Sequence, residues 1–192
     1  MPVEPALGRV EVPDLHQRDP TEQRADPVVG AWLPGHTVPV VDENAVRTAA
    51  GILLLAGGTA VAVALATGST RPLQPFGMAF LLDMLARITL GDRWSPSLSL
   101  ARLAVRRRRP HWVGAPQKVF AWSLGAAIAG AACLSMSILA APLAVTLALC
   151  GTCLVLLLLE AAFGICVGCM LQRALTSTPP QHCADGSCAS AH

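Results

Sequence analysis

The chain has 192 residues, of which 53% are apolar and only 14% are charged. Soluble domains carry about 25% charged residues, so this composition argues against an ordinary soluble domain and indicates contact with lipid. The seven cysteines are odd in number and lie mostly in apolar segments, which argues against a secreted disulfide framework.

The chain begins with an acidic, proline-rich stretch, residues 1–40, which has little apolar periodicity and is expected to be a disordered tail. Asp42–Asn44 then predicts the start of a helix, because acids are favourable at the positive end of the helix dipole. We expect residues 41–173 to form an all-α membrane domain, since a helix of about 20 apolar residues spans a bilayer. Four transmembrane helices are predicted, over about 45–67, 73–90, 119–141 and 143–165.

A short basic helix is predicted between spans two and three, beginning at Ser95–Pro96 and stopped by Pro110. Its arginines alternate with apolar residues, which is typical of a helix lying at the membrane surface. Four consecutive arginines lie at its end, just before Pro110. Between two spans they predict binding to anionic lipid head groups rather than to nucleic acid. These residues are Arg106, Arg107, Arg108 and Arg109.

The basic residues also predict the orientation of the chain. The stretch from Asp92 to Lys118 holds seven of the fourteen Lys and Arg residues, whereas the other two loops hold one in total. Positively charged loops stay in the cytoplasm, so we expect a multi-pass protein of the cytoplasmic (inner) membrane. With four spans, both termini are then cytoplasmic.

Besides Arg47 near the end of span one, three charged residues fall within the predicted spans. Asp83 and Arg87 are four residues apart and share a helix face, and Glu160 is expected at a similar depth in span four. Buried charges in a membrane are costly and normally pair inside the bundle. We interpret the three as a structural charge cluster; the alternative is a pathway for protons or ions.

Two C-x-x-C motifs lie in or near span four. Cys166 and Cys169 are the candidate redox pair, expected near the cytoplasmic end of a helix that continues to about Leu171. The negative end of a helix dipole disfavours a thiolate there, and packing is the alternative. Cys150 and Cys153 are predicted to be packing residues.

The tail, residues 174–192, is polar and is expected to be flexible. His182, Cys183 and Cys188 are weak candidates for a metal site, because their spacing only loosely resembles a zinc motif. No cofactor is predicted.

Several stretches resemble an uncharacterised family of bacterial membrane proteins, domain of unknown function DUF4395, over residues 41 to about 171. The resemblance implies a four-helix membrane topology and no established reaction. It rests on Val41–Asn44 with Arg47, Leu82–Asp83 with Arg87, Trp94–Pro96, Gly114–Phe120 and Glu160–Cys169.

The functional hypothesis is a thiol/disulfide or sulfur-handling accessory protein that uses Cys166 and Cys169 with a cytoplasmic thioredoxin-like or rhodanese-like partner. The alternatives are a non-catalytic membrane scaffold, or assembly factor, and a metal-handling protein. We do not expect enzymatic activity of its own, and the sequence leaves the substrate, the partner's identity and the oligomeric state open.

Overall fold

The computed structural model describes residues 27–34, 36–139 and 141–175. Within these ranges the chain forms six α-helices and a two-stranded sheet. A π-helical turn, Leu159–Phe163, separates the last two helices. The elements are β1 Val40–Asp42, α1 Glu43–Thr67, α2 Leu73–Thr89, α3 Pro96–Val105, β2 Trp112–Gly114, α4 Ala115–Ser137, α5 Leu143–Leu158 and α6 Val167–Leu175.

The long helices α1, α2, α4 and α5 run alternately in opposite directions. β1 pairs antiparallel with β2, with Val41 opposite Val113, and this pairing holds the starts of α1 and α4 side by side. We call this the sheet end of the bundle. The connections 68–72 and 138–142 lie at the opposite end, the short-loop end.

Three helical segments in the described part of the chain are long and apolar enough to cross a membrane. They are Glu43–Thr67, Ala115–Ser137 and Leu143–Phe163. Helix α2 has 17 residues and carries Asp83 and Arg87, so it is shorter and more polar than the other three. The structure thus has the helical character of a membrane protein, with three candidate spans by this criterion.

The helix boundaries follow local capping signals. The Asp42 side chain accepts a hydrogen bond from the Asn44 N–H at 3.0 Å, so α1 begins where the sequence predicted. Helix α4 begins at Ala115, four residues before the predicted start of span three. Pro116 lies in its first turn, where proline removes no helical hydrogen bond.

The predicted disordered tail, 1–40, ends earlier than expected. Residues 27–34 and 36–40 pack on the domain, and the part before residue 27 lies outside the described residues. Ala31 and Val40 exchange two backbone hydrogen bonds of 3.0 Å, and Val29 and Val40 are buried. The Gly30 N–H donates to Asp92 Oδ1 at 3.2 Å. Long-range partners thus order a stretch whose own sequence lacks helix or strand periodicity.

The predicted continuation of span four to Leu171 is wrong. The helix passes into the π-helical turn and ends at Gly164, whose φ of +68° is the left-handed conformation that glycine adopts readily. Arg47 donates hydrogen bonds to the carbonyls of Ala161 and Ala162, which stabilises the break. A separate helix, α6, begins at Val167.

Candidate functional site

The break at Gly164 places the candidate redox pair at the start of a helix. Cys166 directly precedes Val167, the first residue of α6, and Cys169 is the third residue of that helix. The sequence predicted both cysteines near a helix C-terminus, which disfavours a thiolate, and the structure places them at a helix start instead. The N-terminal turn presents unpaired N–H groups and the positive end of the dipole, which favour a thiolate.

The two thiols are free, half-buried and hydrogen-bonded to each other. The hydrogen bond from Cys166 lowers the pKa of the Cys169 thiol despite its burial. The same hydrogen bond, together with burial, raises the pKa of the Cys166 thiol. The pair is therefore asymmetric, since Cys169 is the thiol that ionises first.

A buried ion pair lies beside the thiols. Lys118 Nζ of α4 is 2.5 Å from Glu160 Oε1 of the π-helical turn, and the two side chains are only 6% and 15% exposed. The Lys118 charge favours the thiolate at both cysteines and the Glu160 charge opposes it. The ion pair adds Lys118 to the predicted cluster of Asp83, Arg87 and Glu160, because Glu160 pairs directly with Lys118 while it lines the same cavity as Arg87.

Lys118 was assigned to the basic loop by the sequence, although it lies in the Gly114–Phe120 stretch that carries part of the family resemblance. No local pattern links it to Glu160, which is 42 residues away. The pairing depends on the start of α4 and the end of α5 meeting at the sheet end.

Gly168 docks α6 against α4. A Cβ atom at this position would lie 2.6 Å from both Cα and Cβ of Ala121, closer than real atoms approach. The glycine between the two cysteines therefore allows the first turn of α6 to reach the backbone of α4, one helical turn beyond Lys118.

A cavity of about 70 Å³ lies next to Cys166. Its walls are mostly apolar and come from α1, α2, α4, α5 and α6. Cys166 and Gly168 form part of its lining, together with Glu160, Cys153, Arg87 and Trp122. The cavity thus lies between Cys166 and the charged side chains of Glu160 and Arg87.

The predicted pairing of Asp83 with Arg87 is confirmed, with Arg87 Nη2 2.8 Å from Asp83 Oδ2 and both side chains buried. Asp83 also accepts hydrogen bonds from the hydroxyls of Ser95 and Ser97 at 2.7 and 2.6 Å. Arg87 stacks on Trp122 of α4, 5.2 Å from the ring centroid. Neither serine was predicted as a partner of these charges, although Ser95 was predicted to begin a helix and lies in the Trp94–Pro96 stretch.

Residues 41–176 match the model of the family described as domain of unknown function (DUF4395). The chain belongs to this family. The match covers both cysteines, the Lys118–Glu160 ion pair and the Asp83–Arg87 pair. No curated protein and no solved structure matches the chain.

The other predicted site residues fall inside and outside this DUF4395 region. Cys150 and Cys153 lie in α5, and Cys153 is buried. The four arginines Arg106–Arg109 are exposed after α3. His182, Cys183 and Cys188 lie outside the described residues, as does the whole predicted tail after Leu175. Among the described residues, no group of three His, Cys, Asp or Glu side chains could hold a metal ion.

Proposed function

We propose that this DUF4395 protein is a four-span protein of the bacterial cytoplasmic membrane whose Cys166–Cys169 pair exchanges disulfides with a soluble cytoplasmic partner. The observation that carries this proposal is the position of the pair in the first turn of α6, beside the Lys118–Glu160 ion pair. Helix N-termini and neighbouring cations are the surroundings that activate cysteines in proteins.

The fold supports α2 as the fourth span. The β1–β2 pairing puts the starts of α1 and α4 at one end, and both helices are long enough to cross the bilayer. The chain must therefore return to that end between them, and α2 is the helix that runs back. Its outer face carries Met78, Leu82 and Leu85, which are 49%, 60% and 42% exposed and suit contact with lipid. Its length of about 25 Å is within the mismatch that a bilayer accommodates.

The charge distribution supports an orientation with the sheet end in the cytoplasm. The exposed arginines Arg106–Arg109 lie at this end, and positive loops are retained on the cytoplasmic side. The Cys166–Cys169 pair follows the last apolar segment, Leu143–Phe163, at the same end. A cytoplasmic thioredoxin-like or rhodanese-like protein then has access to it, and both termini are cytoplasmic.

The proposed exchange has two steps. The Cys169 thiolate attacks one sulfur of the partner's disulfide, which forms a mixed disulfide and releases the other partner sulfur as a thiolate. Cys166 then loses its proton and attacks the Cys169 sulfur. This closes the Cys166–Cys169 disulfide and releases the second partner thiolate. The partner takes up two protons and leaves as a dithiol, which balances the protons given up by Cys169 and Cys166.

Trapping of the mixed disulfide tests the proposal. In Cys166→Ser the second step is blocked, so we expect a partner to stay bound through Cys169 in acid-quenched cells, identified by mass spectrometry. Cys169→Ser is the matched control, since it removes the thiol of lower pKa and should trap far less. If neither variant traps a partner and diamide fails to oxidise the pair, the two cysteines are packing residues. The protein would then be a non-catalytic membrane scaffold.

A further inference from the structure

A second pocket opens at the sheet end, away from the thiol pair. Its volume is about 340 Å³, and it lies between the first turns of α1, the end of α3 and the π-helical turn. Its lining is mainly polar and includes Asn44, Arg47, Thr48, Arg108 and Ala161. The proposed thiol exchange uses none of these side chains.

The pocket is positively charged. Its lining includes two arginines, Arg47 and Arg108, and no acidic residue. The nearest acids in the sequence have other partners: Asp42 accepts hydrogen bonds from the Asn44 and His111 N–H groups, and Glu43 pairs with His111. Among the ion pairs found in the described residues, none includes Arg47 or Arg108. An anion is the ligand that this charge favours.

Arg47 is held in place before any ligand arrives. Its Nε and Nη2 donate to the Ala161 carbonyl at 3.4 and 3.3 Å, and Nη2 also donates to the Ala162 carbonyl at 3.0 Å. A fixed arginine loses little side-chain freedom when it binds an anion, and Nη1, which donates to neither carbonyl, can donate to a phosphate oxygen.

The pocket also lies at the depth of lipid head groups. Arg47 is the fifth residue of α1, so it is near the point where this apolar helix leaves the bilayer. Trp94 and Trp112, 71% and 38% exposed, lie at the same end of the bundle, and exposed tryptophans mark the membrane interface. Val105 and Gly51 add apolar surface to the pocket, next to the two cations.

We propose that this pocket binds the phosphate group of an anionic membrane lipid, between Arg47 and Arg108. The inference rests on the membrane placement proposed above and is independent of the thiol chemistry. It differs from general attraction of basic residues to the membrane, because it assigns one of the four consecutive arginines, Arg108, to a defined site and leaves its neighbours outside.

Native mass spectrometry of the full chain in detergent tests this site, with phosphatidylglycerol as the probe and phosphatidylcholine, which is zwitterionic and has no net charge, as the comparison. Arg108→Gln should weaken phosphatidylglycerol binding by about thirtyfold, as expected for loss of charge-assisted hydrogen bonds. The matched control is Arg107→Gln, which removes the same charge from an exposed residue outside the pocket. It should weaken binding by at most about fivefold, the effect of general surface attraction.

Equal weakening in the two variants would overturn the site, and so would equal binding of the two lipids. Inorganic phosphate distinguishes a lipid from a free anion. We expect phosphatidylglycerol to stay bound in the presence of millimolar phosphate. If phosphate displaces the lipid, and does so only when Arg108 is present, the pocket binds free phosphate and the lipid proposal is wrong. Trapping through Cys169 is measured separately, so failure of one proposal leaves the other standing.

Discussion

Two of the ion pairs in the described part of the chain, Asp83–Arg87 and Lys118–Glu160, have different surroundings. Asp83 and Arg87 lie within α2 and share the hydroxyls of Ser95 and Ser97. Lys118 and Glu160 connect α4 to the π-helical turn and have thiols as neighbours. The first pair is satisfied by its own network and by Trp122, so we propose a structural role for it, whereas the second adjoins thiols that can react.

Replacing Asp83 should reduce the stability of the protein more than replacing Arg87. After Arg87→Leu, Asp83 still accepts three hydrogen bonds from Ser95 and Ser97, and a carboxyl can take up a proton. After Asp83→Leu, the buried guanidinium cannot lose its charge. We therefore expect losses of about 3 kcal/mol for Arg87→Leu and about 5 kcal/mol for Asp83→Leu, measured by unfolding in detergent.

Two controls accompany this prediction. Arg93→Leu removes an exposed arginine from the same region and should change stability by less than about 0.5 kcal/mol. Combining Arg87→Leu with Asp83→Asn should recover part of the loss, because it removes the unpaired carboxylate. A parental unfolding profile for Arg87→Leu would show that the pair does not stabilise the bundle.

The segment from α5 to α6 is where local sequence signals and the structure disagree most. Apolar residues run through α5 into Phe163, so the sequence predicts a longer continuous helix there. Gly164 and Gly168 were visible, but a glycine within a helical pattern is tolerated often enough that neither marks a break alone. The break is stabilised by Arg47, which is 114 residues away from Ala161 in the chain. A local sequence pattern therefore cannot predict it.

Replacement of Gly164 by alanine should disturb this break. Its φ of +68° is unfavourable for an L-residue by about 1–2 kcal/mol. A Cβ there would also lie 3.2 Å from Nη1 of Arg47. We expect lower stability and slower alkylation of Cys169 by a water-soluble maleimide, because a continuous helix would remove the thiols from a helix N-terminus.

Gly58→Ala provides the matched control for that change. Gly58 lies inside α1 with no neighbouring atom within 4 Å of a Cβ, so alanine should stabilise the protein by about 0.5–1 kcal/mol and leave alkylation unchanged. If Gly164→Ala alkylates and unfolds like the parent, the position of the thiols at a helix start does not govern their reactivity.

At the scale of the whole molecule, the apolar segments and the distribution of charge predicted the helical membrane class and the starts of α1 and α5. They also predicted the ion pair of Asp83 and Arg87, because both residues share one helix face. The sheet was missed, since strands of three residues such as Val40–Asp42 carry too little pattern to be seen. The ordering of residues 27–34 and the pairing of Lys118 with Glu160 also require the folded bundle, because their partners are distant in sequence.

The sheet itself provides the sharpest prediction of topology. Because β1–β2 pairing holds the starts of α1 and α4 together, the sheet end and the short-loop end must face opposite sides of a membrane that both helices cross. In a cysteine-free background, Arg108→Cys should label with an impermeant maleimide only after cells are opened. Leu139→Cys, 71% exposed at the short-loop end, should label in intact cells. Both positions are exposed, so differences in labelling report sidedness rather than burial.

Labelling of position 108 in intact cells, with position 139 protected, would show that the protein has the opposite orientation, with the thiol pair outside the cytoplasm. Labelling of both positions from one side would mean that α1 and α4 do not both cross, and the four-span arrangement would be wrong.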